Sequence, residues 1–417
     1  MSNRFWRTAM NKNCAFTICT KSYQGLAKVL QNSFLKFNDG FDFFIIYIDD
    51  LDNINNVAVS ITDIRKKYLS EEKFFEMAFK YDLTEFCTSI KPFSIQFFLE
   101  KGYELAVYLD PDICFYSKFE EILDVTKSIY ITPHIVTCET QYSGDDEESN
   151  ILRYGIYNCG FIAFRKTNIS KQILEWWMYR LLDACYAAPE YGLFTDQKWI
   201  DFLPALVSSD ELFIIKNIGC NVAPWNFYER EVKKIDGLYK VYNRINKVEL
   251  VTDLCFVHFS GFNYKELCGG SIGHKWLMNN YCDILELIDG YREALNANHA
   301  FDFFSLQYYF ANYSDGTSIM KLHRRIYGEI IKKEAFDHPF FVEEGFFLLL
   351  KKNKMISKKQ IHSSNTKNVS SFLKKKNLIF LFFKLVLRFL GIDRFEEFIL
   401  GIHKYSTLND QKNLLSK

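Results

Sequence analysis

The chain reads as an α/β protein built on a mostly parallel sheet. Short apolar runs alternate with segments of helical period from Ala15 to Phe259, the pattern of strands joined by crossover helices. One of these runs, Leu105 to Leu109, ends in Asp110-Pro111-Asp112, two carboxylates with one residue between them. In open sheets of this class, ligands bind outside the carboxyl ends of the strands.

Taken in order, Ala15 to Thr20 is the first strand. Tyr23 to Phe37 follows, with Leu26, Val29, Leu30 and Phe34 at helical spacing. Phe43 to Ile48 is a second apolar run, closed by Asp49-Asp50. Ser70 precedes Glu71 and Glu72, acidic residues suited to the first turn of a helix. A further helix starts after Lys91-Pro92 and stops near Gly102. The strand bearing Asp110 and Asp112 comes next, then strands over Ile129 to Thr132 and Phe161 to Phe164. Tyr142 to Asn150 is an acidic, loop-like stretch, and Ile173 to Leu182 an amphipathic helix. Phe194 to Leu203 reads as a short helix halted by Pro204, with Thr195 as its N-cap. Leu254 to Phe259 is a late strand, and Trp276 to Tyr291 a helix.

Organisation shifts along the chain. Residues 1–270 hold the alternating pattern, 271–350 are mostly helical or irregular, and 351–417 form a basic linker leading to a helix. In that last part Lys374, Lys375 and Lys376 precede Leu378 to Ile392, where Lys384 and Arg388 share a helical face. The segment is too short and too charged to span a bilayer. It fits a helix lying on an anionic membrane surface, or one packed on protein.

Composition excludes some classes. Lys plus Arg and Asp plus Glu each total 51, so no global field recruits nucleic acid. Aromatic residues make up 17% of the chain, which fits sugar stacking or simple compositional bias. Eleven cysteines are scattered without a CxxC pair, as expected for free thiols in a reducing cytosol. The polar start, Met1 to Asn13, lacks the apolar core of a signal peptide, and a cytoplasmic enzyme is expected.

Two neighbouring anions repel unless a cation lies between them, and hard divalent metals favour carboxylate oxygen. Asp110 and Asp112 therefore read as ligands for a divalent cation that meets a phosphorylated substrate. Four motifs accompany them: Thr20 to Tyr23 at a helix start, Tyr157-Asn158-Cys159-Gly160, Thr195-Asp196-Gln197, and His258-Phe259-Ser260-Gly261. A helix start offers N–H groups to phosphate, and a glycine allows close approach to the backbone. A nucleotidyltransferase also uses a metal-bound Asp-x-Asp, but Thr20 to Gly25 is not a Gly-rich triphosphate loop. An interaction protein on the same fold, without catalysis, is the other alternative.

The ordered set resembles the glycosyltransferases of family 8, the glycogenin and bacterial lipooligosaccharide type with the GT-A fold. The matching elements are Thr20 to Tyr23, Tyr81 to Lys91, Tyr108 to Ile113, Tyr157 to Gly160, Phe194 to Gln197 and His258 to Gly261. The resemblance implies a mixed, mostly parallel sheet flanked by helices, with a helical C-terminal extension. It implies transfer of a sugar, with retention, from a nucleotide-diphospho-sugar to a glycan or lipid-linked acceptor. UDP is favoured over GDP. His258 would be the third ligand for Mn²⁺ or Mg²⁺ beside Asp110 and Asp112, and Tyr23 would stack on the base. Thr20 and Gly261 would belong to the nucleotide site, and Lys91 would meet donor phosphate or sugar. Asn158 and Gly160 would line the acceptor side, and Asp196 and Gln197 would touch the donor sugar near its anomeric carbon. After Gly261 the family's Lys-Pro-Trp is replaced by Phe262-Asn263-Tyr264-Lys265.

Overall fold

The structure is a computed structural model that describes residues 11–51, 59–119, 122–145, 147–246, 251–273, 280–336, 338–356, 369–407 and 410–415. Of residues 369–377, 393, 413 and 415 it describes the backbone alone.

The chain divides into two compact units, Met1–Met77 with Leu83–Tyr309, and Ala78–Asp82 with Phe310–Lys417. The first unit carries the sheet. Its early strands are β1 (Asn13–Cys19), β2 (Phe41–Tyr47), β3 (Leu105–Leu109), β4 (Ile113–Phe115), β5 (Ile129–Pro133) and β6 (Tyr157–Arg165). Six strands form one sheet in the order β2-β1-β3-β6-β5, followed by the strand Leu212–Ile214. The strand β1 pairs parallel with both β2 and β3, and β5 pairs parallel with the strand Leu212–Ile214. By contrast, β6 runs antiparallel to both its neighbours. One reversed strand in an otherwise parallel sheet is the α/β arrangement expected for the GT-A fold.

The helices follow local rules. After β1 a short turn, Lys21–Tyr23, leads into α1 (Gln24–Phe37), which buries Leu26, Val29, Leu30 and Phe34. The helix α2 (Ile61–Tyr68) starts from a capping box between Ser60 and Asp63. The helix α3 (Glu71–Lys80) has both acidic residues in its first turn, and the Ser70 hydroxyl accepts from the N–H of Lys73. After α4 (Leu83–Ser89) comes α5 (Lys91–Lys101), which has Pro92 in its first turn and ends at Gly102 in a left-handed conformation. Residues from Lys91 to Leu99 are all buried, so α5 is a core helix rather than a half-exposed one. Later come α6 (Glu148–Tyr154) and α7 (Asn168–Asp183), the latter capped by the Thr167 hydroxyl.

Three expectations need correction. Pro204 does not halt a helix but opens one: α8 spans Gln197–Ile200, and a separate turn, Leu203–Leu206, begins with Pro204 in its first positions. Thr195 is not the N-cap; Asp196 holds that position, and the Thr195 hydroxyl donates to the Asp196 carboxylate at 3.1 Å. The Trp276 to Tyr291 helix begins later, as Leu285–Ala297 after a short Cys282–Ile284 turn, while residues 274–279 lie outside those described.

Within the second unit, Arg324 is buried and donates to the carbonyls of Ala78, Phe79, Tyr81 and Phe310. Phe79 packs its ring against Tyr313, Tyr327 and Phe346. The C-terminal helix spans Val369–Tyr405 and is broken at Gly391, where φ is 72°. Across the break the rings of Phe383 and Phe395 meet, with centroids 6.4 Å apart. Leu378, Phe380, Leu381, Phe382, Leu385 and Phe389 are exposed, as are Lys384 and Arg388. The side chains of Lys374 to Lys376 lie outside those described. Among the described residues, no helix is long and apolar enough to cross a membrane.

Candidate active site

Pro111 ends the ladder of β3, because it has no N–H to donate. Asp110 and Asp112 fall in the turn between β3 and β4. They therefore converge through a tight turn, not through strand alternation. The strand Phe256–His258 pairs antiparallel with β4 and sets His258 opposite Ile113. The backbone N–H of Phe259 donates to the carbonyl of Asp112, which locks this register.

The result is a compact triad. One ligating atom from each of Asp110, Asp112 and His258 lies within 4.8 Å of the others. His258 Nε2 stands 3.0 Å from Asp112 Oδ1 and 3.8 Å from Asp110 Oδ2. Two carboxylates and an imidazole suit a hard or borderline divalent ion, Mn²⁺ at least as well as Mg²⁺. Burial alone would lower the His258 pKa, but the Asp112 and Asp110 carboxylates outweigh it and hold it up. Burial likewise acts to raise the Asp112 pKa, and His258 with Tyr264 overrides it downward. The Tyr264 hydroxyl is 2.7 Å from Asp112 Oδ2 and 2.8 Å from the carbonyl of Phe259.

A second charge cluster adjoins the triad. Lys91, 2% exposed, lies 3.0 Å from Asp196 Oδ2 and 3.6 Å from Asp110 Oδ1. Its ammonium also donates to the carbonyl of Cys159 at 2.9 Å and sits 4.3 Å from the centre of the Tyr108 ring. The Tyr108 hydroxyl donates to Asp110 Oδ1 at 2.6 Å. Burial opposes the Lys91 charge, but Asp110 and Asp196 keep its pKa raised. Burial raises the pKa of Asp196, and Lys91 holds part of that rise back.

The reversed strand brings the third group. Ile131 pairs with Ile162 but Thr132 pairs with Asn158, so β6 carries three extra residues beside one step of β5. Such bulges re-aim groups next to sites. This one turns Asn158 and Gly160 toward His258. A Cβ on Gly160 would come 2.4 Å from His258 Cε1, so only glycine fits. Asn158 Oδ1 is 3.2 Å from His258 Nδ1, and Gln197 Oε1 is 3.0 Å from the N–H of Cys159. Gln197 Nε2 donates to the carbonyl of Tyr154 at 3.2 Å, so both ends of its amide meet protein.

At the end of β1, Thr20 is buried with its hydroxyl 2.7 Å from that of Ser22. The Tyr23 ring meets Tyr264 and Phe304 edge-on, at 5.9 and 6.3 Å between centroids. Burial first, then Asp112, pushes its hydroxyl up to about 12. Asp49 and Asp50 join this corner: the N–H of Lys21 donates to Asp49, and the Lys21 ammonium pairs with Asp50 at 3.1 Å. Gly261 is exposed and has a left-handed φ of 80°. Lys265 is exposed on the short helix Tyr264–Cys268.

Several residues here carried no sequence signal. Asn221 to Arg230 forms the wall behind His258. Trp225 lies edge-on between His134 and His258, at 5.1 and 5.3 Å. Asn226 Nδ2 is 2.9 Å from the carbonyls of both His134 and Asn221. Buried Glu229 accepts from the N–H groups of Val136 and Thr137. Tyr108 and Tyr264 act through hydroxyls that only the tertiary structure aims.

His134 gives a pH test of this wall. Burial pushes its pKa down to about 4 from an ordinary 6.5, and His258 adds to the effect. A depressed pKa contributes stability that is full above about pH 6.5 and is lost as the pH falls toward 4. The urea midpoint is expected to drop across that window, and less steeply in His134→Gln.

All eleven cysteines are thiols outside any disulfide.

No protein-family model matches the chain. Among curated proteins, it is 30% identical over 200 residues to the uncharacterized protein YfnF of Bacillus subtilis (strain 168), covering 46% of this chain and 62% of that one. It is 27% identical over 184 residues to YfnD of the same organism, covering 43% and 54%. The chain thus spans less than two thirds of the length of these relatives. Among solved structures it is similar to a glycosyltransferase involved in glycosylation of the major capsid of PBCV-1, at 12% identity and TM-score 0.35, over 60% of this chain and 93% of that one. It is also similar to the galactosyltransferase LgtC in complex with donor and acceptor sugar analogues, at 10% identity and TM-score 0.38, over 68% and 95%. A third is the bifunctional glycosyltransferase WbbM, at 13% identity and TM-score 0.37, over 71% and 52%.

Proposed function

We propose that the chain transfers a sugar from a nucleotide-diphospho-sugar, a UDP-sugar ahead of a GDP-sugar, to a glycan or lipid-linked acceptor. The observation that carries this reading is the convergence of Asp110, Asp112 and His258 within 4.8 Å, beside the Lys91–Asp196 pair and at the carboxyl end of β3. Breaking the bond from the sugar to the diphosphate leaves negative charge on phosphate and develops positive charge on the sugar. The triad would hold Mn²⁺ or Mg²⁺, which supplies Lewis-acid stabilisation of that leaving group. Buried Asp196 offers an anion for the sugar's developing charge. Lys91 holds Asp196 and Asp110 as neighbours by standing between their charges. Thr20 and Tyr23 sit at the entrance to α1 for the nucleoside, and the face formed by Asn158, Gly160 and Trp225 is left for the acceptor. Retention at the anomeric centre goes with this assignment, and an inverted product by NMR would sink it.

The deciding measurement is thermal shift with UDP-sugars, GDP-sugars and nucleoside triphosphates, with and without Mn²⁺. Stabilisation by a nucleotide-sugar that depends on Mn²⁺ is the expected result. Stabilisation by triphosphates alone would favour nucleotidyl transfer, and none by any nucleotide would favour a non-catalytic protein.

The tail gives the enzyme a place at a cytoplasmic membrane surface in this reading, in surface-polysaccharide synthesis. Residues 374–392 hold five basic and no acidic side chains, and Leu385 and Phe389, beside Lys384 and Arg388, are exposed. Full-length protein is expected to float with anionic vesicles, and protein cut after Asn368 to stay behind. Equal flotation of the two would remove the tail from this role.

A further inference from the structure

The amide groups behind His258 form a chain whose polarity is fixed by backbone atoms. Gln197 Oε1 faces the N–H of Cys159 at 3.0 Å, and Gln197 Nε2 faces the carbonyl of Tyr154 at 3.2 Å. A backbone N–H only donates and a carbonyl only accepts, so the Gln197 amide has one permitted orientation. Its oxygen therefore also receives Asn158 Nδ2, at 3.3 Å. Asn158 is constrained again from its other end, because the N–H of Gly160 donates to Asn158 Oδ1 at 3.2 Å. That oxygen stands 3.2 Å from His258 Nδ1, which must then carry a hydrogen. The opposite side agrees. His134 Nδ1 lies 3.1 Å from the carbonyl of Ile156, so its Nε2 is an acceptor, 3.5 Å from Asn158 Nδ2.

We propose that Gln197, acting through Asn158, is a positioning residue that sets the tautomer of His258 and leaves Nε2 as the atom turned toward a divalent cation. This rests on the metal reading given above. Ligating imidazoles commonly donate their second N–H to such a partner, which fixes ring orientation. Without Gln197 the Asn158 nitrogen loses its nearer acceptor and keeps only His134 Nε2 at 3.5 Å, so the amide is held chiefly from its oxygen end by the N–H of Gly160. The acceptor that faces His258 Nδ1 is then held less firmly, and the imidazole hydrogen gains access to Nε2, where the ligating lone pair is needed. Gly160 closes the remaining freedom, since any side chain there would strike the His258 ring. Gln197 thus acts on the metal end of the site with both of its polar atoms held by protein.

The experiment is Mn²⁺ titration calorimetry on the full chain, with long-range ¹H–¹⁵N NMR of the Mg²⁺-loaded protein to read the tautomer. Wild type is expected to bind Mn²⁺ and to carry the His258 hydrogen on Nδ1. Gln197→Met, similar in volume but without an amide, is expected to bind Mn²⁺ about 10- to 100-fold more weakly. Gln197→Glu, which keeps the oxygen acceptor, is expected to bind closer to wild type. A Gln197→Met protein with wild-type near-ultraviolet dichroism and wild-type Mn²⁺ affinity would overturn the proposal. A wild-type His258 hydrogen found on Nε2 would overturn it whether or not the variants fold. Absence of Mn²⁺ and Mg²⁺ binding by wild type would remove the metal reading itself, and this role for Gln197 with it.

Discussion

Asp112→Ala is expected to lower donor hydrolysis about 10³-fold, equivalent to roughly 4 kcal/mol of transition-state stabilisation. The carboxylate does three jobs at once. It is one of the converging triad, it faces His258 Nε2 at 3.0 Å, and it receives the Tyr264 hydroxyl at 2.7 Å. Removing it takes away a proposed metal ligand and leaves two side chains without their shared partner. Asp112→Asn separates these jobs, because the amide oxygen still accepts from Tyr264 while the charge is gone. Both variants are expected to lose the Mn²⁺-dependent thermal shift, with Asp112→Asn retaining more of the metal-free stability. If Asp112→Ala hydrolyses the donor as fast as wild type, the triad is not the metal site.

The second large effect is expected at Lys91. Removing one partner of a buried ion pair costs about 3–5 kcal/mol, because the other charge stays buried and uncompensated. Here one ammonium serves two carboxylates, Asp196 at 3.0 Å and Asp110 at 3.6 Å. Lys91→Met is therefore expected to unfold at markedly lower urea than wild type. Lys91→Met combined with Asp196→Asn is expected to recover much of that loss, since the stranded buried charge is gone. Donor hydrolysis is expected to stay low in the double variant, because the anion proposed to face the sugar is also gone. Urea titrations of the three proteins settle the matter, and an unchanged midpoint in Lys91→Met would show that the pair does not hold the site together.

Sequence alone carried the sheet, the paired aspartates and the start of the core helix α5 for physical reasons, while the place of His258 beside them came from the family resemblance. Asp-Pro-Asp after an apolar run is local chemistry, because proline ends a ladder whatever surrounds it. Gly102 and Pro92 bound α5 in the same local way. The role proposed for Gln197 was not legible, because it depends on a bulge in β6. Gly160 inside an apolar strand hints at a bulge, but not at its size or at which side chains it turns toward His258. Tyr264 was equally hidden: it stands where the resembled motif has other residues, and its hydroxyl reaches Asp112 across 152 positions of sequence. Pro204 misled because the same residue stops a helix from within and starts one from its first turn. Asn221 to Arg230 could not be read, since its contacts are with backbone groups of the distant segment 134–137.

The single reversed strand has a consequence for how such a chain can diversify. Because β6 runs against β3, it enters the site at Tyr157 instead of leaving it there. The segment that feeds it, from His134 to α6, is separate in sequence from the β3–β4 turn that carries the aspartates, and its described residues from Cys138 to Asn150 are exposed or half-buried. Loops of this kind tolerate insertion and deletion far better than the strands they join. Recasting residues 138–145 would therefore reshape the side proposed for the acceptor while the β3–β4 turn, proposed to serve the leaving group, keeps its register.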